Sequence, residues 1–173
     1  MEIRKLNPEE WAGKQFHISY TTDGYFDVHP CSDGFVCTRK PFPQPQEKSF
    51  DDTFLSEWLE NPVAYCIFEH GQMIGYAEGS IEQWNNRFRI SNILVFDQNN
   101  RKKGIGSVLM KQILKEAKDS GARMAVLETQ SCNINAISFY YRFGFQIIGF
   151  DLFAYTNQDM QNHEVRIEMG KIL

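Results

Sequence analysis

At 173 residues, with 42% hydrophobic and 14% aromatic content, the chain is long enough for one domain with a sizeable core and too apolar for a disordered segment. Its formal net charge of −4 argues against a general nucleic-acid or anionic-membrane binder and is compatible with a cationic substrate. No run of about 18 apolar residues occurs, and MEIRKLNPEEW has no apolar signal-peptide core, so a cytoplasmic location is expected.

In chain order, residues 2–6 alternate weakly and suggest a strand. Asn7-Pro8-Glu9-Glu10 has the form of a helix opening, with Asn7 as N-cap and Pro8 at the first position. Residues 16–39 are rich in aromatic and β-branched residues broken by Asp-Gly pairs, which suggests strand pieces and turns. The prolines of PFPQPQ, 41–46, exclude helix and central strand and suggest a loop over a site. Phe54, Leu55, Trp58 and Leu59 form a helical core stripe in a short helix over 50–62, stopped before Pro62.

Strands at 64–68 and 73–81 flank His70-Gly71, a hairpin signal, and Asn85-Asn86 turns the chain into a third strand, 88–96. Ile105, Val108, Leu109 and Ile113 line one face of a helix over 104–120, which Gly121 ends. A strand over 124–130 should then run parallel to 88–96 through a right-handed crossover. A short helix, 135–143, and two antiparallel strands, about 145–155 and 163–171, complete the chain as a single domain, 1–173.

Cys31, Cys37, Cys66 and Cys132 include no Cys-x-x-Cys pair, so no disulfide framework is expected. His29, Cys31 and Cys37 lack a fourth ligand at zinc spacing, and no metal is expected. His17, His70 and His163 do not stand beside a Ser or Cys as a nucleophilic pair would.

The stretch with chemical content is NILVFDQNNRKKGIG, from Asn92 to Gly106. A buried strand, a polar turn and a glycine-opened helix leave the first helical amides without intrahelical acceptors, and the dipole adds partial positive charge there. Gly104 and Gly106 carry no Cβ, so a ligand can approach the backbone closely. This is an anion cradle suited to phosphate, crowded by Arg101, Lys102 and Lys103. Leu109 excludes Gly-x-Gly-x-x-Gly, and no Gly-Lys-Ser/Thr follows, so it is not a P-loop.

Arg101 to Gly106 resembles the acyl-CoA signature Gln/Arg-x-x-Gly-x-Gly/Ala of the GNAT superfamily of N-acetyltransferases. Leu127-Glu128, Asn133, Ala136, Tyr140 and Gly144-Phe145 resemble that family's second signature, in order and spacing, so that the likeness covers roughly 90–150. Leu127-Glu128-Thr129-Gln130, the segment from Gly149 to Tyr155, and Phe26 to His29 with Asp33-Gly34-Phe35 are similar to its streptothricin acetyltransferase branch. That branch usually carries an acid where this chain has Asn92, so, if streptothricin is a poor substrate, replacing Asn92 with Asp or Glu is expected to improve it.

The resemblance implies an α/β (α+β) fold: one mixed, mostly antiparallel twisted sheet of about six or seven strands, helices on both faces, and central strands splayed at the acetyl-CoA site. It implies an acetyl-CoA-dependent N-acetyltransferase acting by direct attack on a primary amine of a small cationic molecule, with streptothricin-type β-lysine leading. No nucleic acid, membrane or metal is implied, and the protein would be a monomer or homodimer. Main-chain groups of Leu94, Val95 and Phe96 would meet pantetheine. Amides from Arg101 through Lys102, Lys103, Gly104, Ile105 and Gly106 to Ser107 would meet the pyrophosphate, with Asn133 and Ala136 also at the cofactor.

A lysine-like amine with a pKa of about 10.4 is only about one part in 10³ neutral at pH 7, so a base is needed. Glu128, interrupting an apolar strand, is the candidate, with Glu78 and Glu82 in reserve. Tyr140 would protonate the leaving thiolate, and Tyr141, turned about 100° away on the helix, would pack or face solvent. Asp27, Asp33, Asp151 and Tyr155 would line a cation pocket. Alternatives are acetylation of a protein N-terminus or lysine, and a non-catalytic acyl-CoA-binding module.

Overall fold

A computed structural model describes residues 2–96 and 103–173. Arg101 and Lys102 of the expected cradle lie outside the described residues. The chain divides into two compact units, Met1–Ile18 with Phe50–Val126 and Ile172–Leu173, and Ser19–Ser49 with Leu127–Lys171.

A mixed, mostly antiparallel sheet of seven strands runs in the order β1 (Glu2–Lys5), β4 (Val63–Glu69), β5 (Gln72–Glu82), β6 (Arg87–Val95), β7 (Met124–Gln130), β9 (Arg166–Ile172), β8 (Gln146–Asp151). β2 (Gln15–Cys31) and β3 (Gly34–Thr53) form a separate two-stranded ribbon. The four helices are α1 (Pro8–Trp11), α2 (Ile105–Asp119), α3 (Ile134–Arg142) and α4 (Asp159–Asn162).

In the first unit, Asn7 caps α1 through a 3.1 Å hydrogen bond from the Glu9 amide. The β4–β5 hairpin turns at His70-Gly71, both with positive φ, as that dipeptide suggests. The β5–β6 ladder is antiparallel and bulges between Glu78 and Gly79. The crossover through α2 makes β6 and β7 parallel, as expected, with Arg87–Arg89 registered against Met124–Val126. β6 continues past this ladder to Val95, while its other edge stays paired with β5 as far as the Gly75–Val95 pair.

α2 buries Ile105, Leu109, Met110, Ile113 and Ala117, but Val108, expected in the stripe, is exposed. Gly75 of β5 admits the helix, because a Cβ there would stand 2.6 Å from Ile105 Cγ2. On the opposite face of the same strands, Phe54 packs at 4.7 Å from Phe16, 4.8 Å from Tyr76 and 5.3 Å from Trp11, between ring centroids.

Two expectations fail in the N-terminal half. PFPQPQ is not a loop: it lies within β3, where only one neighbouring strand makes demands on its missing N–H groups. No helix forms over 50–62, since β3 runs to Thr53 and the chain then turns. Phe54, Leu55 and Leu59 are buried as a helical stripe would be, but Trp58 is exposed and Leu55 sits at φ 51. Tertiary partners for the Leu55 backbone outweigh a weak local helical preference.

In the second unit, α3 and the antiparallel β8–β9 pair form as expected. The segment between those strands holds α4, which the sequence did not suggest. Buried Asp159 organises it, accepting from the amides of Tyr155 and Thr156, both at 2.8 Å, and from the Thr156 hydroxyl.

The bulge beside Gly79 leaves no room for a side chain: a Cβ would meet the Phe88 ring and lie 2.5 Å from the Arg89 carbonyl oxygen. Gly79→Ala should therefore destabilise the protein by about 1–3 kcal/mol, read as a lower midpoint in urea or thermal unfolding.

Candidate active site

The cradle belongs to the first unit. Gly104 adopts φ +85, a left-handed conformation that disfavours other residues, and nothing lies within 4 Å of where its Cβ would stand. It precedes Ile105 as the N-cap of α2, and no side chain among the described residues caps that helix. The leading amides of Ile105, Gly106 and Ser107 thus keep the donors that a capping side chain would have used. Ile105 is buried, anchoring the turn, while Lys103 and Gly104 are exposed. Leu94 and Val95 are half-buried on β6, and Phe96, which follows it, donates its N–H to Ile74 O at 3.1 Å.

The second unit carries Glu128, Asn133, Ala136 and Tyr140. Glu128 is not in apolar surroundings: it is exposed and stands 3.6 Å from the Arg166 guanidinium. The same guanidinium reaches Asp151 at 3.4 Å and Glu168 at 3.9 Å, so one cation serves three carboxylates. The reason lies in strand alternation combined with pairing, which sets a charged β9 residue against the polar end of β7. Asn133 caps α3, its Oδ1 accepting from the Ala136 amide at 3.2 Å.

Tyr140 is buried between Phe139 and Phe145, and burial pushes its phenol up, keeping the proton on oxygen. Tyr141 is exposed, as the helix geometry suggests. The expected cation-pocket acids have separate partners. Asp27 pairs with Lys40, whose hydrogen bond holds the carboxyl below its ordinary value, and Asp33 lies exposed by the ribbon turn.

The two reserve bases differ sharply. Burial pushes Glu82 up, but hydrogen bonds from Arg89 and Asn85 and the nearby Arg charges outweigh it and hold the carboxyl below its ordinary value. Glu78 is completely buried, and no cation among the described residues is bonded to it. Its Oε2 receives the Tyr76 hydroxyl at 2.5 Å and the Leu55 amide at 2.9 Å, while Oε1 receives Asn92 Nδ2 at 2.8 Å. Burial pushes this carboxyl up, and the three donors offset only part of that. Asn92 faces Glu78 directly in the β5–β6 register and donates a second bond to Asp52 Oδ2 at 3.0 Å. An acid inside the apolar run of β5 was the signal for this cluster, although sequence ranked it behind Glu128.

Comparison with known proteins decides the family. The profile of the acetyltransferase (GNAT) family matches residues 33–145. The chain belongs to the GNAT family. It is 33% identical over 145 residues to a streptothricin acetyltransferase of Streptomyces lavendulae, covering 79% of this chain and 76% of that protein. It is 30% identical to an Escherichia coli streptothricin acetyltransferase, covering 80% and 77%. Among solved structures, a nourseothricin acetyltransferase matches with TM-score 0.79 and 27% identity over 99% of this chain and 97% of that one. A Bacillus anthracis protein assigned as a streptothricin acetyltransferase, in complex with acetyl coenzyme A, matches with TM-score 0.75, 26% identity and the same coverage.

This protein is thus an acetyl-CoA-dependent N-acetyltransferase, with acetyl-CoA as cosubstrate. The open space over Gly104 and the uncapped α2 terminus fit its pyrophosphate.

Two outcomes follow. Gly104→Glu adds bulk and charge in the open space over the turn and forces a non-glycine residue into φ +85, so calorimetry should show acetyl-CoA affinity lowered at least tenfold, on the order of a lost charge-assisted contact. Glu78 keeps its proton to higher pH than the ordinary 4.5, so its contribution to stability is complete below that value and declines as pH rises through its raised pKa. Unfolding midpoints of wild type and Glu78→Gln, followed upward from pH 4, should show wild type losing stability relative to the variant.

Proposed function

We propose that this acetyltransferase, read as one domain over 1–173, acetylates a primary amine of a small cationic molecule, with the β-lysine amine of a streptothricin-type antibiotic as leading substrate. The observation carrying this reading is the 33% identity, across 79% of the chain, to a streptothricin acetyltransferase. The net charge of −4 supports a polycationic substrate. Cytoplasmic residence is part of the proposal, supported by the absence, among the described residues, of a helix long and apolar enough to cross a membrane.

In the proposed reaction the neutral amine attacks the thioester carbonyl, the C–N bond forms and the C–S bond breaks. Glu128 takes the amine proton, directly or through water. Its exposure supports contact with solvent, and the Arg166 guanidinium stands 3.6 Å from its carboxylate. Tyr140 gives its phenolic proton to the departing thiolate, leaving an N-acetyl amide and free CoA. A phenol kept protonated by burial is suited to that donation. Main-chain groups of Leu94, Val95 and Phe96 and the amides around Gly104 hold acetyl-CoA, with Asn133 Nδ2 available beside its capping oxygen.

Tyr140→Phe keeps the ring and removes the proton. Its kcat should fall on the order of 10²–10⁴-fold, with acetyl-CoA affinity retained. Equal loss in Tyr141→Phe and none in Tyr140→Phe would move the role to the neighbouring residue. CoA release measured with streptothricin, aminoglycosides, free polyamines and Lys- or Ala-starting peptides should rank streptothricin first. A preference for peptides would reject the small-molecule reading.

A further inference from the structure

Asn92 is held between two carboxylates, and these surroundings suit an amide. The side-chain NH2 group spends both hydrogens on carboxylates, Glu78 Oε1 at 2.8 Å and Asp52 Oδ2 at 3.0 Å. Oε1 accepts whether Glu78 is ionised or carries a proton on Oε2. The amide therefore cannot be turned over, since its oxygen would then face two acceptors. Oδ1 must point away from both carboxylates.

That oxygen has no partner among the described residues, although Asn92 is only 8% exposed. Nor is it sealed in the interior, for the sealed and unpartnered side-chain atoms among those residues are Ser91 Oγ and Arg166 Nε. An acceptor held in one orientation, nearly buried and unused, is costly unless something donates to it.

The holding frame is itself over-determined. Leu55, at φ 51, sits in a conformation unfavourable for a bulky residue, and its amide is bound by Glu78 Oε2 at 2.9 Å and the Tyr76 oxygen at 3.3 Å. Asp52 is kept in place by the Thr53 amide at 2.7 Å. The bulge after Glu78 falls at the same point of the sheet.

We propose that Asn92 Oδ1 is the hydrogen-bond acceptor that receives the substrate amine, and that Glu78 and Asp52 are positioning residues that hold this amide in one orientation. The proposal rests on the reading of the chain as an acetyltransferase of cationic amines. An amide suits the task in a way that a carboxylate does not. A further carboxylate touching the amine, beside the one that takes its proton, would stabilise the ammonium form and oppose the deprotonation that attack requires. The amide keeps the directional bond and sets the negative charge one side chain further back. Asn92→Asp, which the sequence resemblance favours, would instead place a third carboxylate against two others.

The test compares amine binding without turnover. Calorimetry with streptothricin and with spermidine, in the presence of CoA, should show affinity lowered roughly ten- to hundredfold in Asn92→Ala at neutral pH. Acetyl-CoA affinity should stay within about threefold, well below a lost hydrogen bond to a charged group. Asp52→Ala frees the amide and should raise the amine KM about three- to tenfold with the acetyl-CoA KM unchanged. Asp52→Asn restores an accepting oxygen and should return the amine KM toward wild type.

Equal amine affinity in wild type and a folded Asn92→Ala overturns the proposal, as does a wild type that binds neither amine. If Asn92→Ala fails to fold, the Asp52 pair decides, and an unchanged amine KM in Asp52→Ala rejects the role. A wild type that binds amines without releasing CoA would reject the acetyl-transfer reading alone, leaving the binding comparison decisive for Asn92.

Discussion

The first unit depends on a carboxylate that has been taken out of water. Glu78 is fully buried, and its three hydrogen bonds come from neutral donors. Burying such a group carries a desolvation cost unless its lone pairs are engaged. Each donor is therefore tied to a structural decision. Tyr76 turns its hydroxyl inward under the aromatic cluster, Leu55 accepts a left-handed backbone, and Asn92 commits its amide NH2. The failed helix over 50–62 follows from the same interaction, because an amide spent on Glu78 and held at φ 51 is lost to a helical turn.

The two longer helices open in contrasting ways. α3 begins with Asn133, whose side chain satisfies the Ala136 amide locally. α2 begins with Gly104 and has no side-chain cap among the described residues. Leaving such a helix end uncapped costs about 0.5–2 kcal/mol in ordinary helices, a cost that an anion at a helix N-terminus offsets. The burial of Ile105 and Leu109 beneath Gly75 keeps the turn in place meanwhile.

In the second unit Arg166 plays the organising part. Its guanidinium lies within 4 Å of Glu128, Asp151 and Glu168, leaving the group with excess negative charge. Partly exposed pairs of this kind add little to stability, because water screens them. Their effect is on the charge presented to a ligand, which is compatible with a cationic amine. Tyr155, near the same group, has its phenol pushed up by burial and then by the Glu128 charge.

Sequence alone determined the parts governed by local periodicity and turn chemistry. The His70-Gly71 hairpin, the α2 crossover, the strand over 124–130 and the Asn133-capped helix follow from residues close together in the chain. The glycine turn at Gly104 was legible for the same reason, as a glycine opening a helix. Tertiary structure decided the rest. PFPQPQ became strand because a distant segment offered it a ladder, and Leu55 left the helical region because Glu78, far along the chain, took its amide. Glu128 and Glu78 look alike as acids interrupting apolar strands, yet one meets Arg166 at the surface and the other is closed off under aromatic rings. Hydropathy patterns record which residues prefer burial, but the polar partner that a buried acid finds depends on strand register and on contacts between segments remote in sequence, which only the folded chain specifies.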